Sequence, residues 1–258
     1  MIAKQFEKEL TERLGDGFFR VTVLPEAVST NTYLKSEAEN GAPEGTVVIA
    51  LSQSGGRGRR GRSFFSEAGG LYMSILLRPT LPPDKATLIT AATAVAVARA
   101  IAHLTGLSPK VKWVNDILLS GKKLSGILTE AALNLSGDRL SYAVVGIGIN
   151  VARTEFPPEL SEIATSLGAH LDTPPTLPAL AAACLSELKK VLSEITSPAL
   201  MDAYRALSAV TGRTVTVIGH GAEYTARVRD ILSDGSLAVI DEDGNEHILS
   251  SGEISVKL

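Results

Sequence analysis

Two β-like runs, residues 117–119 and 124–130, are separated by Ser120-Gly121 and its neighbours, a gap too short to hold a helix. A second short gap, around Ser136-Gly137-Asp138, leads into the run at 141–146. Strands joined this closely pair antiparallel, because a parallel connection needs a dozen or more residues. Further strand-like segments lie at 20–23, 46–51, 71–77 and 111–113, and helical periodicity is clearest at 3–14, 31–39 and 84–104. Helices and strands do not alternate regularly, so the expected class is α+β with a mixed, largely antiparallel sheet.

From Arg153 to Leu180 the chain reads as loop, with Phe156-Pro157-Pro158 and Thr173-Pro174-Pro175. A helical stretch follows over 177–207, broken near Ser197-Pro198. After Thr211-Gly212-Arg213 come five short β-like segments, 214–218, 224–231, 236–240, 246–249 and 254–257. Gly219-His220-Gly221, Asp234-Gly235 and Asp243-Gly244-Asn245 punctuate them, which predicts a small β-barrel. The expected division is a larger domain over 1–209 and the barrel over 210–258.

Composition narrows the class. Hydrophobic residues make up 45% and charged residues 21%, ordinary for a soluble globular protein. The longest apolar stretch, 86–104, carries Arg99 and His103 and reads as an Ala-rich buried helix rather than a membrane span. The N-terminal residues mix charged and apolar positions at helical spacing, without a signal-peptide core. Cys184 is the single cysteine, which excludes intrachain disulfides and fits a reducing cytoplasm. His103, His170, His220 and His247 lack metal-ligand spacing, so no bound metal is expected.

The net charge of −3 argues against a general nucleic-acid binder and makes one basic cluster more telling. In Gln53-Ser54-Gly55-Gly56-Arg57-Gly58-Arg59-Arg60-Gly61-Arg62, glycines let the backbone approach a ligand and guanidiniums suit phosphate and carboxylate oxygens. A solvated loop or an RNA-binding tract would share that composition, but this is a single copy set between strands. Lys112-Trp113-Val114-Asn115-Asp116 is a second cluster, and a hairpin would bring Lys123 back towards Asp116. Gly146-Ile147-Gly148-Ile149-Asn150 suggests a dinucleotide fingerprint but lacks the third glycine and the following helix. Ser29-Thr30-Asn31 reads as a helix N-cap whose free N–H groups could also hold a polar ligand.

In this order, Ser29-Thr30-Asn31, Gln53 with GRGRRGR, KWVND, KKLSGIL and GIGIN resemble the biotin protein ligases, over roughly residues 20–152. Val114 departs from the family's usual proline. The resemblance implies a fold like that of class II aminoacyl-tRNA synthetases and biotin ligases, with an SH3-like C-terminal barrel. It implies biotin and ATP with Mg2+ as substrates, and no tightly bound cofactor. Ser29, Thr30, Asn31 and Gln53 would hold the biotin head group. Arg57, Arg59 and Lys123 would meet the biotin carboxylate and the phosphate of biotinyl-5′-AMP, with Gly56, Gly58 and Arg60 completing the loop. Gly126 and Gly148 would line the pocket, Phe64 would help close it, and Trp113 and Asn150 would lie on the adenine side. Asp116 would position or deprotonate the acceptor amine. The implied partner is the biotin carboxyl carrier protein of acetyl-CoA carboxylase, and sheet extension could give a homodimer. Some relatives carry an N-terminal winged-helix DNA-binding domain; only about twenty residues precede the first strand here, so no DNA binding or repression is expected. The rivals are a lipoate or octanoyl transferase and a salt-sensitive nucleic-acid-binding module, the latter disfavoured by the scarcity of aromatics near the loop.

Overall fold

The computed structural model describes residues 1–15, 17–152, 155–219, 222–250 and 255–257. Arg153, His220, Gly221 and Ile254, which the sequence reading placed in a loop, a turn and the last strand, lie outside the described residues.

Among the described residues, thirteen α-helices and β-strands precede residue 210: α1 (Ile2–Leu14), β1 (Arg20–Leu24), α2 (Thr30–Glu39), β2 (Thr46–Ala50), β3 (Leu71–Leu77), α3 (Ala86–Thr105), β4 (Lys110–Lys112), β5 (Asp116–Leu119), β6 (Lys122–Leu133), β7 (Leu140–Ile149), α4 (Pro158–Ser161), α5 (Leu177–Leu192) and α6 (Pro198–Leu207). Seven strands form one sheet in the order β1-β2-β3-β7-β6-β5-β4. Only β1 and β2 run parallel, with α2 as their crossover, and every other neighbouring pair is antiparallel. The sheet is therefore mixed and the class α+β, as the hairpin spacing required. The β5–β6 turn is a two-residue connection with positive φ at Ser120 (51°) and Gly121 (81°), which matches the twist of the flanking strands.

Alternation along the strands decides which residues enter the core. Val47, Ile49, Met73, Ile75, Ala143, Val145 and Ile147 point to one face, where α1, α3, α5 and α6 build the main hydrophobic core. By length and composition α3, with the turn before it, is long and apolar enough to cross a bilayer. Most of it (72% of the apolar window) is buried inside this core. On the opposite face α2 packs Leu34 and Ala38 on Val48, Leu76 and Val144. It covers only that end of the sheet.

The glycines of GIGIN fall inside β7 rather than in a nucleotide turn. They weaken a strand intrinsically, but pairing to β3 on one side and β6 on the other holds them in register. That is why β7 runs to Ile149, beyond the sequence-predicted end.

The remaining strands, β8 (Thr214–Gly219), β9 (Ala222–Ile231), β10 (Leu237–Asp241), β11 (Glu246–Leu249) and β12 (Ser255–Lys257), form a second, antiparallel sheet in the order β11-β10-β9-β8-β12. This is a small SH3-like unit. Its apolar residues, Val215, Val217, Val228 and Val239 among them, join the main core. Trp113 Nε1 donates to Gly235 O at 2.9 Å, and Arg205 Nε to Ile231 O at 2.6 Å.

The Trp113 bond is buried, so its loss strands a carbonyl. Trp113→Phe removes the donor and also part of the buried ring, and is expected to cost at least about 1–3 kcal/mol. Urea denaturation followed by circular dichroism measures this; an unshifted midpoint would show that the two sheets are not joined through this bond.

Candidate active site

Where α2 stops covering the sheet, the exposed face loses its side chains. Gly126 of β6 pairs with Gly148 of β7, and Gly146 pairs with Leu128 and with Ser74 of β3. A Cβ at Gly148 would collide with the Phe64 ring, and one at Gly146 with Asn31 Oδ1. The bare backbone thus forms the floor of a cavity, with the flat Phe64 ring against it and Tyr72 edge-on to Phe64 at 6.4 Å.

One wall is the start of α2. Ser29 caps the helix, its Oγ accepting from Thr32 N at 3.5 Å. Gln53 Oε1 accepts from Thr30 N at 2.8 Å and Thr30 Oγ1 at 3.1 Å, while Gln53 Nε2 donates to Ser66 Oγ at 3.0 Å. Ser74 Oγ stands 2.8 Å from Thr30 Oγ1 and 2.6 Å from Asn31 Oδ1, and gives its single proton to one at a time. Ser29, Thr30, Asn31 and Ser74 are all buried, so this run of polar atoms is satisfied internally and held rigid.

The opposite wall is cationic. In the β5–β6 pair Asp116 faces Gly126 and Ile117 faces Ser125, but Leu118 faces Lys123, with a register shift between them. That bulge leaves Leu124 as the extra residue and switches the alternation. Lys123, which regular pairing would turn into the core, joins Asp116 on the cavity face instead. Lys123 Nζ then lies 2.7 Å from Asp116 Oδ1 and 5.8 Å from the centre of the Phe64 ring. Asn115 Nδ2 donates to Asp116 Oδ1 (3.2 Å) and to Ile127 O (3.0 Å), and its Oδ1 accepts from Arg59 Nη1 at 3.1 Å. Burial lowers the Arg59 pKa, Arg60 and Arg62 push it the same way, and Asp116 opposes them. Its guanidinium stays charged at any physiological pH.

Arg57 Nη2 lies 3.4 Å from Glu130 Oε1, an oxygen it shares with Lys35 Nζ at 3.1 Å; Asn31 Nδ2 donates to the other oxygen at 2.9 Å. Desolvation alone would raise the Glu130 pKa, but hydrogen bonds from Asn31 and Lys35 and the charges of Lys35 and Arg57 hold it below the usual carboxylate range. Tyr72 donates to Glu67 O at 2.7 Å, and burial raises its pKa so that it remains a neutral phenol.

Of the residues singled out from sequence, Ser29, Thr30, Asn31, Gln53, Arg57, Gly58, Arg59, Arg60, Phe64, Trp113, Asp116, Lys123, Gly126 and Gly148 line this one cavity. Gly56 lies just behind it, where a Cβ would meet Ser66 and the Phe64 carbonyl. Asn150 is not in the wall: its Nδ2 donates to Thr165 O at 3.0 Å, which ties the following loop to the sheet. The Trp113 indole N–H faces the second sheet, leaving only its ring for the cavity. Arg60, at φ 57°, sends Nη1 to Ile218 O of β8 at 3.2 Å. The Trp113–Val114 peptide is cis. The sequence reading missed Ser74, Lys35 and Glu130 and gave Asn115, within KWVND, no role of its own; the acidic residue two positions after KKLSGIL was the available signal for Glu130.

The profile of the Biotin/lipoate A/B protein ligase family matches residues 24–150, and that of the Biotin protein ligase C terminal domain matches 210–257. The biotin--[acetyl-CoA-carboxylase] ligase of Mycobacterium tuberculosis is 32% identical over 96% of this chain and 94% of its own length. The chain belongs to the biotin protein ligase family. The bifunctional ligase/repressor BirA of Bacillus subtilis is 46% identical over 54% of this chain, and the aligned segment spans 43% of that relative, less than half its length. The biotin protein ligase from Aquifex aeolicus in complex with biotin and ATP superimposes with a TM-score of 0.79 at 28% identity, covering 92% of this chain and 98% of that one.

The lowered Glu130 pKa makes a prediction about acid stability. A depressed carboxylate contributes stability that is present above its unfolded value and lost as the pH falls through its folded value. Thermal melts between pH 6 and pH 3 should therefore show a shallower acid limb for Glu130→Gln than for the wild type. Parallel limbs would mean that the Asn31–Lys35–Arg57 cluster does not form in solution.

Proposed function

We propose that the chain joins biotin to ATP as biotinyl-5′-AMP and then transfers the biotinyl group to a lysine of a biotin carboxyl carrier protein. The observation that carries this reading is a single cavity with a polar head at Ser29, Thr30 and Gln53, a glycine floor, and Arg57, Arg59 and Lys123 beyond it. A flat, largely apolar ring with a polar edge fits the first two features, and two anions held together need the third.

In the first half-reaction the biotin carboxylate attacks the α-phosphorus of ATP, delivered with Mg2+, and pyrophosphate leaves. Two anions repel; Arg57, Arg59 and Lys123 neutralise that repulsion and the charge that builds on the phosphorus oxygens. Asp116 holds the Lys123 ammonium at 2.7 Å and so fixes its direction. The loop carrying Phe64 and the arginines shields the acyl-adenylate from water.

In the second half-reaction the acceptor amine attacks the acyl carbon and AMP leaves. Such an amine is mostly protonated near neutrality, its ordinary pKa being about 10.4. Asp116 has its Oδ1 committed to Lys123 and Asn115, whereas Oδ2 has no hydrogen-bond partner among the described residues. That oxygen is available to orient the amine and receive its proton.

Mixing the protein with ATP and biotin should release pyrophosphate, and replacing biotin by lipoate or octanoate should not; the reverse preference would assign the site to the lipoate side of the family. Arg57→Ala should slow adenylate formation roughly 100-fold. For Asp116→Asn, biotin transfer from preformed adenylate should slow, read by avidin blot of a carrier domain, and transfer at the wild-type rate would remove Asp116 from that step.

A further inference from the structure

Glu130 takes no part in the reaction just described and does not itself line the cavity, yet its carboxylate holds two residues that do, Asn31 and Arg57. Its Oε2 is held by Asn31 Nδ2, while its Oε1 receives Lys35 Nζ and Arg57 Nη2. Three separate parts of the chain meet on these two oxygens. Glu130 belongs to β6, paired to Val144 of β7 in the middle of the sheet. Asn31 and Lys35 are one turn apart on α2, the helix whose start carries Ser29 and Thr30. Arg57 belongs to the arginine loop, outside both sheets.

The partners also differ in how firmly they are fixed. The Glu130 side chain is 17% exposed and that of Arg57 50%. The anchor is therefore set in the scaffold and the guanidinium reaches it from solvent. Arg57 holds a single oxygen that Lys35 also holds, and holds it at the longer distance. An incoming oxyanion can take over Arg57 without leaving Glu130 buried and unpaired, because Lys35 and Asn31 remain. With two cations and one carboxylate, the cluster also keeps a net positive charge facing an anionic substrate.

We infer that Glu130 is a positioning residue that docks the arginine loop over the cavity through Arg57 and releases Arg57 to the substrate anion. This rests on the proposed role of Arg57 in adenylate formation. The second oxygen gives the arrangement a further consequence: the carboxylate that docks the loop is the one that orients Asn31, so the loop and the polar head of the cavity share one reference point.

Glu130→Gln separates docking from folding. A glutamine oxygen can still accept from Asn31 Nδ2, but its amide N–H groups then face Lys35 and Arg57, and the ionic tether is lost. In the protein without substrates, trypsin should cut within residues 57–62 several-fold faster in Glu130→Gln, with cutting elsewhere unchanged. In pyrophosphate release with biotin and ATP, turnover should fall roughly tenfold while the KM for biotin stays near that of the wild type. Introduced into Arg57→Ala, the same change should add nothing, because Glu130 acts through Arg57. The inference is overturned if trypsin cuts the Glu130→Gln loop at the wild-type rate, or if Glu130→Gln slows turnover as much in the Arg57→Ala background as alone. If the wild type releases no pyrophosphate with biotin but the trypsin difference persists, the proposed activity falls and the docking role stands.

Discussion

The Phe64 ring packs directly on the backbone of Gly148, on the stretch of sheet that α2 leaves uncovered. This contact depends on the absence of a side chain, and so do the approach of Asn31 to Ser74 over Gly146 and of Lys123 to Gly126. A largely antiparallel sheet can pack one face on a core and leave the other to polar groups and solvent. Here one face is packed against four helices, and the other is left bare along three glycine positions. The packed face holds the bare one in shape, since the same strands β3, β6 and β7 carry both.

The polar groups around this floor form two separate systems. At one end hydroxyls and amides bond each other in a buried run from Ser66 through Gln53, Thr30 and Ser74 to Asn31, with no charge in it. At the other end Lys123 pairs with Asp116 and Arg59 leans on Asn115. Glu130 lies between the two, accepting from the neutral run through Asn31 and from the cationic loop through Arg57. An elongated molecule with a neutral polar head and an anionic tail fits that polarity in one direction only.

Much of this was legible in the sequence because it is local. The hairpin at Ser120-Gly121 follows from chain length alone, and the N-cap at Ser29 from a hydroxyl before a helical run. The arginine loop stands out because four guanidiniums crowd into residues 57–62 of a mildly acidic chain. What stayed hidden depends on partners far apart in sequence. Regular alternation would have turned Lys123 into the core, and only the β5–β6 pairing reveals the bulge that turns it out. Glu130 looks like any acidic strand residue until α2 and the loop are folded against it. Asn150 stands apart for the converse reason: it closes a motif that lines the cavity, but its own amide donates to Thr165 O.

The bulge makes the segment from Asp116 to Gly126 count in whole residues. Its two-residue turn and its one extra residue together place the ammonium of Lys123 beside Asp116, and inserting or deleting a single amino acid there would reverse inside and outside from that point to the turn. Leu124 would then face the cavity and a lysine would face the core. Loop length in most of a protein drifts freely through insertions and deletions. In this hairpin the spacing decides which side chains line the cavity, and relatives that keep that lining should differ here by substitution and almost never by length.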